Sequence, residues 1–65
     1  MSVLIELRNL DKADSIFEFV EVEHFFEASN IGIRRAASYE ERTGDTFDYY
    51  LYTEGDDRYQ AAKRA

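Results

Sequence analysis

Val3, Ile5 and Leu7 alternate with Leu4, Glu6 and Arg8, and this period of two predicts a half-buried strand at the start of the chain. Asn9 to Ser15, NLDKADS, is rich in turn formers and should reverse the chain. Ile16 to Val22, IFEFVEV, has strand composition but an imperfect alternation. Ile16, Val20 and Val22 share a side with Glu18, while Phe17 and Phe19 share the other with Glu21. A bulge, or partial cover on both faces, would reconcile the pattern. From His24 to Arg42, HFFEASNIGIRRAASYEER, the period changes to that of a helix. On a projection of about 100° per residue, Phe25, Ala28, Gly32, Ala36 and Tyr39 form one stripe, flanked by Phe26, Ile33 and Ala37. Glu27, Asn30, Arg34, Ser38 and Glu41 fall opposite. The small residues in mid-stripe would let a sheet approach closely, and Gly44 is placed to end the helix in the left-handed conformation.

Thr46 to Thr53, TFDYYLYT, alternates again, with Phe47, Tyr49 and Leu51 set to face the helix and Asp48, Tyr50 and Tyr52 on the other side. Glu54 to Asp57 reads as a turn. In the tail, RYQAAKRA, Tyr59 and Ala61 alternate as in a strand, whereas Ala61, Ala62, Lys63 and Arg64 favour a helix; the strand is preferred. The order predicts one α+β domain over residues 1–65: an antiparallel sheet of three to four strands with one amphipathic helix on one face, β-β-α-β, with or without a further strand in the tail. The second sheet face is then left to water or a partner. Phe25 and Ile33 are expected in the core, and the aromatic residues on the second face are as well suited to an interface as to covering a thin core.

Length and composition narrow the function. A chain of 65 residues builds a thin core with little room for an enclosed pocket. No Cys is present, so there is neither a disulfide framework nor a thiolate metal site, and the chain suits a reducing cytoplasm. MSVLIELRNLDK carries no basic leader followed by an apolar run, and no apolar stretch is long enough to span a bilayer; a soluble, unprocessed protein is expected. Fourteen acids against eight bases give a net charge of −6, which argues against direct binding to nucleic acid or an anionic membrane and in favour of a basic partner. The acids are grouped. No base interrupts Asp14, Glu18, Glu21, Glu23 and Glu27, nor Asp45, Asp48, Glu54, Asp56 and Asp57.

The search for reactive groups is mostly negative. Glu23, His24 and Glu27 could form the edge of a metal site, but without a further His or Cys the set is weak. The acids of residues 45–57 do not match a calcium loop, and Gly32, Gly44 and Gly55 are too isolated to cradle a phosphate. No enzyme activity, metal or cofactor is expected. What the acids can do is imitate phosphates. Glu21 and Glu23, two residues apart on a strand, would lie on one face at about 6.6 Å, comparable to the roughly 6 to 7 Å between adjacent phosphates of one nucleic-acid strand. Glu18, Glu21 and Glu23 in one strand and Asp45, Asp48, Asp56 and Asp57 in or beside another could be neighbours in a small sheet. Asp14, Tyr50 and Tyr52 complete the expected partner-binding set.

In size, charge and the two base-free acidic stretches ADSIFEFVEVEHFFEASN and TGDTFDYYLYTEGDD, the chain resembles phage-encoded anti-CRISPR proteins of the DNA-mimic kind. The resemblance is one of class, without a diagnostic motif, so no residue role is transferred. It implies a stoichiometric inhibitor in the host cytoplasm that occupies the DNA-binding surface of a basic nucleic-acid-binding protein, such as a CRISPR effector complex, without turnover. Arg34, Arg35, Arg58, Lys63 and Arg64 depart from an all-round acidic surface and point to a patch. Two alternatives stand beside it: an antitoxin-like protein covering a basic toxin, and an interaction module that adds its sheet edge to another chain.

Overall fold

The computed structural model describes all 65 residues. The alternating segments form strands β1 (Ser2–Asn9), β2 (Asp14–Glu21) and β3 (Phe47–Tyr52); the helical segments form α1 (Phe25–Thr43) and α2 (Asp57–Arg64). The sheet has the order β2-β1-β3 and is antiparallel throughout. β1 is therefore central, and a central strand in a thin domain must be covered on both faces. Val3, Ile5 and Leu7 face α1, whereas Leu4 and Glu6 face the other way, and none of the five is more than 1% exposed.

Local chemistry explains the connections. Between β1 and β2, the Asn9 side-chain oxygen accepts the backbone N–H groups of Asp11 and Lys12, and Ala13 takes a left-handed φ of 62°. The β1–β2 register then runs unbroken from Asn9↔Asp14 to Ser2↔Glu21, with no bulge. Glu18, the acid on the apolar side of β2, is accounted for by Arg35 of α1, whose Nε and Nη2 donate to its two oxygens at 3.0 and 3.2 Å. At the start of α1, the Glu27 carboxylate accepts the N–H groups of Glu23 and His24, two donors near the helix start. Gly44 closes the helix at φ 79°, its N–H bonded to the Glu40 carbonyl.

The buried face of α1 is Ala28, Gly32 and Ala36, the centre of the expected stripe. These small residues bring the helix so close to the sheet that a Cβ on Gly32 would lie 2.7 Å from Cδ2 of Tyr49. The flanks differ from the sequence expectation. Phe25, Phe26 and Ile33 are 44%, 64% and 52% exposed, and Ala37 is exposed as well. Ile31 instead packs against both core clusters, Ile5–Leu7–Ala36–Phe47 and Val3–Val22–Ala28. The reason is placement: α1 lies over β1 and β3, and Ile31 and Ile33 project about 100° to either side of Gly32, so only Ile31 comes down on the sheet.

The tail corrects the expectation of a fourth strand and of a single helix. Residues 57–64 are helical, with Asp57 in the first turn and Lys63 and Arg64 in the last, charges that complement the helix dipole. Two alternating positions were too few to outweigh this helix-favouring composition. α2 packs on the sheet face away from α1. Tyr59 is 1% exposed there and meets Phe19 edge to face, ring centroids 5.2 Å apart. The second sheet face, expected to be open, is thus partly covered.

A candidate protein-interaction surface

On the α2 side of the sheet, Glu6 is almost completely buried. Its carboxylate accepts bonds from Ser15 Oγ at 2.7 Å, Tyr52 Oη at 2.8 Å and Arg8 Nη2 at 3.1 Å. Burial by itself would raise the pKa of Glu6, but hydrogen bonds from Ser15, Tyr52 and Arg8 outweigh it and hold the carboxyl below its ordinary range. The same burial, together with the bond to Glu6, pushes the Tyr52 hydroxyl up. Tyr50 lies beneath the Arg8 guanidinium, 4.5 Å from its ring centroid. Tyr50 and Tyr52, expected as partner anchors, are therefore half-buried walls of an internal charge network. Alternation alone sets Glu6 with Leu4 and Arg8, away from Val3, Ile5 and Leu7; its position inside the apolar run VLIEL is the signal that it has partners.

The expected acidic residues are distributed by the topology. β2 and β3 are separated by β1, so the two acidic strands are not neighbours. β2 ends at Glu21, and the chain bends before α1, so Glu23 leaves the ladder and the two-residue strand spacing to Glu21 is not built. Glu18 is neutralised by Arg35 in mid-sheet. Asp14, Asp45 and Asp48 gather at the end where β1 finishes and β3 begins, together with bases. There Asp45 accepts from Asn9 Nδ2 at 2.9 Å and pairs with Lys12 at 3.2 Å, bonds that lower its pKa. Asp48 stands opposite Arg8 and accepts the Tyr49 N–H. Asp45 and Asp48 are thus engaged within the fold.

The opposite end is different. β1 begins there, β2 and β3 finish there, and both helices start there, so Glu21, Glu23, Glu27, Glu54, Asp56 and Asp57 are collected at one end of the domain. Glu21 pairs with the N-terminal nitrogen at 3.0 Å, and Glu54 borders a shallow depression lined by Met1, Ser2, Thr53 and Gly55. Asp56 accepts the Thr53 N–H, fixing the turn into α2. Arg58, over the Tyr52 ring, is the nearest basic side chain in sequence. The structure thus brings together Glu21, Glu23, Asp56 and Asp57 of the expected set, adds Glu27 and Glu54, and separates them from Asp14, Glu18, Asp45 and Asp48. Acids from both base-free stretches do meet, at the end of the sheet and not along its strands.

A second exposed feature borders β2. Phe17 and Phe19, 43% and 44% exposed, form an apolar groove with Arg58, Ala61, Ala62 and Ala65 of the C-terminal segment. The alanines were not singled out in the sequence, because their place opposite the phenylalanines depends on the tail being a helix. His24, at the start of α1, stacks on Phe26 with centroids 5.6 Å apart. No helix is long and apolar enough to cross a membrane. No protein-family model matches the chain, and no curated protein or solved structure is significantly similar to it.

Proposed function

We propose that this protein is a small non-catalytic inhibitor, at work in the cytoplasm, that docks its acidic end on the basic, nucleic-acid-binding surface of another protein and so competes with DNA. The observation that carries the reading is the collection of Glu21, Glu23, Glu27, Glu54, Asp56 and Asp57 at one end of the sheet. Like-charged carboxylates repel one another, and a cationic groove relieves that repulsion while attracting the whole chain of net charge −6. An anti-CRISPR role against a CRISPR effector complex is the specific form of this proposal, with partner binding shared by the expected residues at that end, Glu21, Glu23, Asp56 and Asp57. Binding of this kind needs neither metal nor cofactor. The antitoxin-like alternative uses the same end against a basic toxin surface and differs in the target alone.

The test is a mobility-shift titration with purified CRISPR effector complexes and labelled target DNA. The protein should reduce the fraction of DNA bound, and excess unlabelled DNA should restore it. DNA binding unchanged across the panel would remove the anti-CRISPR form.

A further inference from the structure

The two edges of the sheet are not equivalent. Reciprocal backbone bonds join Met1 and Val22, and Leu10 donates to the Thr46 carbonyl, so odd residues of β1 bond to β2 and even residues bond to β3. On β3 the outward groups then belong to Phe47, Tyr49 and Leu51. Two of these donors are already taken by carboxylates: Phe47 N–H by Glu40 at 2.9 Å and Tyr49 N–H by Asp48 at 2.8 Å. Just beyond the strand, Thr53 N–H is taken by Asp56 at 2.7 Å. On β2 the outward groups belong to Ser15, Phe17, Phe19 and Glu21, and none of their N–H groups has a partner. β2 carries no Pro, Lys or bulge to blunt it, the usual devices on an exposed edge.

We propose that the β2 edge is a docking site for an extended segment of a partner protein, which adds a fourth strand and presents apolar side chains on one face and basic ones on the other. Each face of β2 selects one of these chemistries. On the α2 face, an added strand about 4.8 Å away lays its side chains beside Phe17 and Phe19 and along the groove with Ala61, Ala62 and Ala65. On the α1 face, its side chains meet Asp14, which has no basic partner, and Glu18, whose carboxylate is shared with Arg35, on a strand, DSIFEFVE, that itself contains three acids and no base. A second copy of the chain lacks the basic face, because its own β2 edge brings three further acids and no base to a strand that already carries three. The proposal rests on the open edge and not on the acidic end.

The probe is a blocked peptide of about eight residues, the length of an ordinary strand, alternating valine and lysine. Its control has the same composition with the valines and lysines in separate blocks. Amide exchange at Ser15, Phe17, Phe19 and Glu21 should be fast in the free protein and roughly tenfold slower or more with the alternating peptide, with Phe47 and Tyr49 unchanged. Protection should persist in the Glu23→Lys, Glu54→Lys variant, which disables the acidic end. No slowing, or equal slowing by the block peptide, would overturn the proposal. So would protection in the free protein that grows with its concentration, since the edge would then be occupied by a second copy.

Discussion

Glu6 shows how one side chain ties the sheet together: a buried carboxylate on the central strand holds Ser15 on one neighbour and Tyr52 on the other. Its pKa is lowered from an ordinary value of 4.5. Its contribution to stability is therefore complete above that value and is lost as pH falls through the lower folded-state value. Urea midpoints should drop on acidification below about pH 4.5, and less steeply in Glu6→Gln; Asp45, shifted in the same direction, preserves part of the slope. An identical acid slope in Glu6→Gln would remove this role. Glu6→Ala strands the half-buried Ser15 and Tyr52 hydroxyls and should cost about 1–3 kcal/mol. Gly32→Ala tests the close approach of α1. The gain in helix propensity is about 1 kcal/mol, but the new Cβ would sit 2.7 Å from the Tyr49 ring, whose hydroxyl is bonded to Ser29. Overpacking at about 1–3 kcal/mol should win. A more stable variant in a denaturant titration would show that the ring yields freely.

Among the elements, β1, β3 and the long helix were legible because their periods are clear over six or more residues, and β2 by its strand composition despite an imperfect alternation. What periodicity left out was the lateral placement of α1, which follows from the sheet order β2-β1-β3 and not from any residue of the helix. The consequence is measurable: Ile31→Ala should cost about 2 kcal/mol or more, whereas Ile33→Ala should stay within about 0.5 kcal/mol. Equal losses in thermal melts would place α1 differently. α2 was obscured because eight residues with a single large apolar side chain, Tyr59, carry almost no periodic signal. Tyr59→Ala should cost about 3–5 kcal/mol, because it removes the ring that packs on Phe19. A near-neutral effect in the same melts would mean that α2 adds little to the core.

For the molecule as a whole, the grouping of acids was legible as a pattern, but their meeting point was not. Strand spacing suggested a track along Glu21 and Glu23, whereas the reversals at Val22–His24 and Thr53–Asp56 place the acids of both stretches at one end of the sheet. Two of the remaining expected acids went into ion pairs within the fold, Glu18 with Arg35 and Asp45 with Lys12. If the acidic end is the binding surface, placement of charge must matter more than its total. Glu23→Lys with Glu54→Lys should abolish inhibition at low salt, whereas Asp14→Lys with Glu41→Lys, an equal change in net charge at the other end, should weaken it far less. Equal losses would leave only a general charge effect. The most direct measurement is equilibrium competition between this protein and duplex DNA for a purified effector complex, at low and high salt. Mutually exclusive binding that weakens as salt rises is the predicted result; a ternary complex in which neither ligand alters the affinity of the other would contradict the account.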